Sequence, residues 1–223
     1  MTTFRFLALI PIASLAILSG CNATQRPLPV VKSSAEYYVG TENYSAAAVD
    51  FREYVERRPD DVPMRVGLVN ALLQLDQPKD ARIHAQVLND LRPSSDEFAD
   101  LLARTLYEAG ERDAVVSFCQ KRVAERGRVA DYIRLGTYSA KLGNIDEARI
   151  ALSTAARVDN GRTIAPQIAL ADLYKQLNDP TNEAKRLKMA LYIDPENKIV
   201  LKRIEDLGEV AGPTAAIRPD ELP

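Results

Sequence analysis

The chain has 223 residues, 46% hydrophobic and 27% charged, enough apolar material for one large folded unit. Lys and Arg number 29 against 31 Asp and Glu, a net charge of −2, which excludes a surface built to neutralise phosphate backbones. One histidine and two cysteines exclude a histidine-based metal cluster and a multi-disulfide framework.

The chain opens on Met1-Thr-Thr-Phe-Arg5, followed by Phe6 to Leu18, a 13-residue run without charge. A basic start, an apolar middle and small residues at a cut are the layout of a secretory signal. The run is too short to cross a bilayer, for which about 20 residues are needed. It ends on Leu18-Ser19-Gly20-Cys21, which resembles the bacterial lipobox. The resemblance implies removal of residues 1–20 and lipidation of Cys21, a palmitate-type anchor made stable by more than one acyl chain. With Asn22 in second place it implies the outer membrane rather than the inner, with the folded part in the periplasm. Cys21-Asn22-Ala23 also fits ordinary signal peptidase, which would release a soluble protein, and both outcomes stay open. Residues 22–31, with Pro27 and Pro29, are expected to form a linker about 30 Å long.

A repeat begins near residue 32. Ala47, Ala81, Ala114, Ala148 and Ala184 follow one another at intervals of 34, 33, 34 and 36 residues. Each stands in an amphipathic stretch, and Pro59, Pro93 and Pro195 close three of these stretches by removing an N–H donor. The clearest unit runs from Asp131 to Asp159. Gly136 and Ala148 are small where two helices must approach, and Gly143 suits the left-handed end of the first helix. The third unit has a turn that reads one residue short, and Asn178-Asp179-Pro180 in the fifth reads slightly long. A period near 34 with these residues resembles the tetratricopeptide repeat (TPR), a helix-turn-helix unit. The expected fold is therefore all-α, a right-handed TPR α-solenoid of about five repeats over 32–195. A capping helix over 196–210 covers the last apolar face through Val200, Ile204 and Leu207. The tail, 211–223, contains three prolines and is expected to be disordered.

No Walker loop, G-x-S-x-G elbow, H-E-x-x-H or paired-cysteine motif occurs, so no catalytic residue, metal or cofactor is assigned and no small-molecule substrate is expected. His84 is expected to be a surface or partly covered histidine, and Cys119 to be a small core residue. The basic run Lys121 to Arg128 is interrupted by Glu125 and reads as a solvated helix face.

A TPR solenoid binds proteins along a groove lined by its first helices. The residues just after each small position are Glu36, Asn70, Arg104, Thr137 and Asp172. Those four after it include Leu73, Tyr107 and Lys175, with Lys141 beside them, and Asp100 stands three before. These ten are the candidate contacts for an extended peptide or partner helix, with Arg104 and Tyr107 as anchors because arginine and aromatic residues dominate interface energetics. The chaperone-binding TPR clamp is absent: Lys32 fits it, but Glu36, Gly67, Glu97 and Leu101 occupy its other places. A lipobox followed by such repeats is similar in architecture to several envelope lipoprotein groups. They include pilotins, a component of β-barrel assembly, and adaptors of cell-wall hydrolases and proteases. The resemblance implies a tethered scaffold, not an enzyme, in the bacterial envelope.

Overall fold

The computed structural model describes residues 25–222, so Cys21 and the signal lie outside the described residues. Among the described residues are eleven α-helices and no strand. They are α1 (Leu28–Gly40), α2 (Tyr44–Arg57), α3 (Val62–Gln74), α4 (Pro78–Leu91), α5 (Asp96–Glu108) and α6 (Arg112–Arg126), followed by α7 (Val129–Lys141), α8 (Ile145–Asp159), α9 (Ala165–Gln176), α10 (Pro180–Ile193) and α11 (Lys198–Asp206). Each helix packs on its neighbours in sequence, and α5, α7 and α9 also touch in series. This is the five-unit solenoid expected, with α11 closing the last unit through Val200 and Ile204, both fully buried.

The helix boundaries follow local chemistry. Asp61, Ser95, Asp179 and Asn197 cap helices by accepting a backbone N–H three residues on. All five turns inside units are three residues long, and each carries one left-handed residue: Glu42, Asp76, Gly110, Gly143 and Asn178. The third turn is therefore not short and the fifth not long. The register moves by one residue instead. The buried position five after the left-handed residue is Ala47, Ala81, Val115, Ala148 and Glu183, so Ala114 and Ala184 do not mark it. Val115 is fully buried while Ala114 is half-exposed, and the packing decides between them.

In the fifth unit a buried carboxylate takes the alanine's place. Glu183 accepts from Arg203 of α11 (2.9 Å), and the same guanidinium reaches Asp172 (2.7 Å). The cap is thus tied to the unit it covers by charge as well as by apolar contact.

Small residues stand where helices approach most closely. A Cβ on Gly136 would lie 2.5 Å from Leu152 Cγ, which leaves no room for a larger residue there. Cys119 aligns with Phe51, Ala85, Leu152 and Leu187 on the inner face of each second helix and is fully buried.

Two segments differ from expectation. α1 starts at Leu28, not residue 32, because Pro27 and Pro29 suit a helix start. Arg26 pins that start to α2 through Asp50 (2.5 Å) and Glu53. The tail does not stand away as a disordered segment. Residues 217–222 lie back on the last units, where Ile217 N–H donates to the Lys188 carbonyl (3.1 Å) and Pro219 is buried.

Candidate functional site

The first helices of units two to five line a trough containing two hollows. One, of about 830 Å³, is walled by Val66 and Asn70 of α3, Asp100, Leu101 and Arg104 of α5, and Ile133, Arg134 and Thr137 of α7. The other, of about 480 Å³, lies between α7 and α9 and includes Thr137, Lys141, Ile168, Asp172 and Gln176. Ile133 and Thr137 line both, so the two hollows adjoin. Their linings are mainly apolar, with the charged side chains of Asp100 and Arg104 exposed at the first, as suits an extended chain with mixed side chains.

Of the ten expected contacts, Asn70, Asp100, Arg104, Thr137, Lys141 and Asp172 wall these hollows. Leu73 does not: it is 8% exposed and belongs to the core, which withdraws it from any partner. Glu36 is exposed on α1 beside Lys32, and Lys175 lies at a shallow dip with Asn178, away from both hollows. Tyr107 is half-buried against the Tyr138 ring (centroids 5.6 Å apart). Lys141 Nζ sits 5.2 Å from the Tyr107 centroid and 5.1 Å from that of Tyr138, so the two rings already hold a cation. The expected anchor pair is therefore split: Arg104 faces the hollow and pairs with Glu108 (2.8 Å), while Tyr107 braces the neighbouring unit.

The misplacement has a geometric cause. Groove positions recur every 3.6 residues along a helix, so the line through the position after the small residue passes five residues after it, not four. That line holds Gln74, Glu108, Lys141 and Gln176. The positions two before (Leu101, Arg134, Ala169) and six before (Glu97, Ala130, Ala165) also line the hollows, and the sequence reading passes over them. The 34-residue register contains the signal for all of them.

Beneath the first hollow lies a buried ionic network that joins units three and four. Asp131 is fully buried and accepts from Arg122 Nε (3.1 Å) and Arg134 Nη1 (2.9 Å). Arg134 also donates to Asp100 (2.7 Å), and Arg128 pairs with Asp96 (2.5 Å). Burial alone would raise the Asp131 carboxyl, but the hydrogen bonds and charge of Arg122, then Arg134, outweigh it and hold it below its ordinary value. Burial likewise pushes the Cys119 thiol up to about 12, which leaves it protonated and unreactive. His84 is half-covered, with Nδ1 3.2 Å from Arg65 Nη1, and desolvation followed by the Arg65 charge lowers its pKa. Among the described residues no group of His, Cys, Asp and Glu is placed to hold a metal ion.

Residues 38–105 match the family model of the tetratricopeptide repeat. The chain folds as a TPR protein. A thermophilic TPR protein of Thermus thermophilus superposes with a TM-score of 0.55 at 18% identity, over 81% of this chain and 98% of its own. A TPR protein of Parabacteroides merdae gives 0.55 at 13%, over 81% and 72%. A MamA segment of Desulfovibrio magneticus gives 0.53 at 13%, over 77% and 97%. At these identities the TPR neighbours establish the fold alone. No curated protein sequence gave a significant match. TPR units serve in general as non-catalytic interaction scaffolds, and the trough occupies the place where TPR solenoids present their first helices.

Proposed function

We propose that this TPR solenoid binds an extended protein segment in the trough and that a lipid on Cys21 tethers it to the bacterial envelope, most readily the outer membrane. The observation that carries the binding reading is that the two hollows adjoin at Ile133 and Thr137. An extended segment could cross both while its backbone meets Asn70, Thr137 and Gln176. The tether rests on Leu18-Ser19-Gly20-Cys21 after an uncharged 13-residue run. The six residues between Cys21 and Leu28 could span at most about 20 Å, so the array would stay close to the lipid surface. Confinement to that layer raises effective concentration, and weak trough contacts become sufficient.

The two halves are tested separately. Labelled fatty acid should enter the wild-type chain and not Cys21→Ser. Continued labelling of that variant, or wild-type cleavage after Ala23, would leave the soluble alternative in its place. For the trough, a photo-reactive residue at Thr137 should form adducts with one defined protein in intact cells, and one at Arg149 on an exposed second-helix face should not. Adducts from Arg149 alone would put the partner on the opposite side.

A further inference from the structure

The tail is seated in a slot that shares no lining residue with the trough. Its walls are the end of α8, the loop through Gly161, the start of α9 and Ile193 at the end of α10, and Lys185, Arg186 and Lys188 of α10 bond the tail beside it. Two buried polar groups of the array converge there on one carboxylate. Arg186 Nη1 donates to Glu221 Oε1 (2.5 Å), and Gln167 Nε2 donates to Glu221 Oε2 (3.1 Å). With the tail seated, Gln167 is 3% exposed and the Arg186 side chain 12%, so the carboxylate meets both groups largely out of water. Arg186 also donates to Gln167 Oε1 (3.2 Å), which orients the amide for the incoming acid.

The contacts around this centre are specific in sequence. Lys185 Nζ pairs with Asp220 (2.8 Å), Pro219 is buried, and the Ile217 N–H is held by the Lys188 carbonyl. Leu222 lies over Gly161 so closely that a Cβ there would stand 2.8 Å from its Cδ2. The connector back to α11 behaves differently. It carries two positive-φ glycines, Gly208 and Gly212, and an exposed Val210. The connector is also held, through Glu209 on Lys188 Nζ (2.9 Å) and Ala211 and Ala216 against the last apolar cluster. The contacts to Arg186, Gln167 and Lys185, however, belong to residues 217–222.

We propose that this slot is a second peptide-binding site, for a short extended acidic segment of the form Pro-Asp-Glu-Leu, and that the chain's own tail is its occupant in cis. The array supplies a buried guanidinium and amide for one Glu, an exposed lysine for the preceding acid, a closed surface for Pro and a glycine floor for Leu. When the tail leaves, Arg186 keeps its bond to Gln167 but loses the carboxylate that balances its charge, so the array alone is poised to take up such a ligand. In the intact chain the tail competes with any segment offered in trans, and it lowers apparent affinity by the fraction of time the slot is closed.

The test uses the full chain and an end-blocked fluorescent peptide matching residues 216–223. Wild type should bind it weakly, and the full chain carrying Glu221→Ala with Leu222→Ala should bind it about ten-fold or more tightly. The same peptide with Glu221→Gln should lose that binding, an arm that leaves the protein unaltered. Arg186→Met in the tail-disabled chain should abolish it, with the melting curve recorded in parallel. Equal binding by wild-type and tail-disabled chains, or equal binding of the Glu and Gln peptides, would overturn the proposal. So would failure of the folded tail-disabled chain to bind at all.

Discussion

Asp131 concentrates the energetics of single residues in this molecule. Its carboxylate neutralises two arginines that the packing of α6 and α7 has taken out of water. Breaking a buried pair by removing one partner is expensive because the remaining charge stays buried. Asp131→Asn should therefore cost roughly 3 kcal/mol in urea unfolding, even though it changes almost no volume. The sign with pH follows from its depressed pKa. The stabilisation is fully present above the ordinary carboxyl value of 3.8 and is lost as pH falls through the lower folded value. Wild type and Asp131→Asn should converge in stability at acid pH. Parallel curves down to about pH 2 would show that the carboxylate contributes nothing.

At the scale of the element, two glycines of the fourth unit separate two physical reasons for the same residue. Gly136 has an ordinary helical backbone but Leu152 against it, whereas Gly143 has open space around it and φ of +85°. Gly136→Leu should overpack the α7–α8 pair and cost roughly 1–3 kcal/mol. Gly143→Ala meets no atom and should cost about 1 kcal/mol, through backbone strain alone. The same argument identifies Glu42 and Asp76 as strained, since they hold left-handed turns with side chains. Glu42→Gly should leave the melting temperature unchanged or raise it slightly. A large loss there would mean that Glu42 makes a contact the turn depends on.

At the scale of the whole molecule, an array is held together by neighbour contacts, so its weakest junction sets where it opens. The pairing of α5 with α6 is the least extensive within any unit, and the network on Asp131 ties α6 and α7 to α5. Amide exchange near about pH 3 should therefore rise first in α5 to α7. Helices α9 and α10, held by Leu170, Leu187 and Leu191 and latched by the tail, should remain protected. Uniform loss of protection along the chain would argue that the network does not control the junction.

The sequence by itself determined the repeat, the number of units and the helices that line the trough. These depend on periodicity, and a 34-residue clock with small residues at close approaches leaves few other ways to bury the apolar faces. Gly136, Gly143 and Cys119 could be assigned from their neighbours for the same reason. Tertiary structure decided what depends on contacts between units. It moved the small-residue register to Val115 and Glu183, because only packing tells a buried position from the one beside it. It drew Leu73 into the core, since one residue along a helix turns a side chain by about 100°. It brought Arg122 of α6 to Asp131 of α7, which no local pattern encodes, whereas Arg134 lies three residues on in the same helix. It also seated the tail: a Pro-rich composition argues for disorder, but a single carboxylate can order such a segment when a buried guanidinium and amide wait for it on other helices.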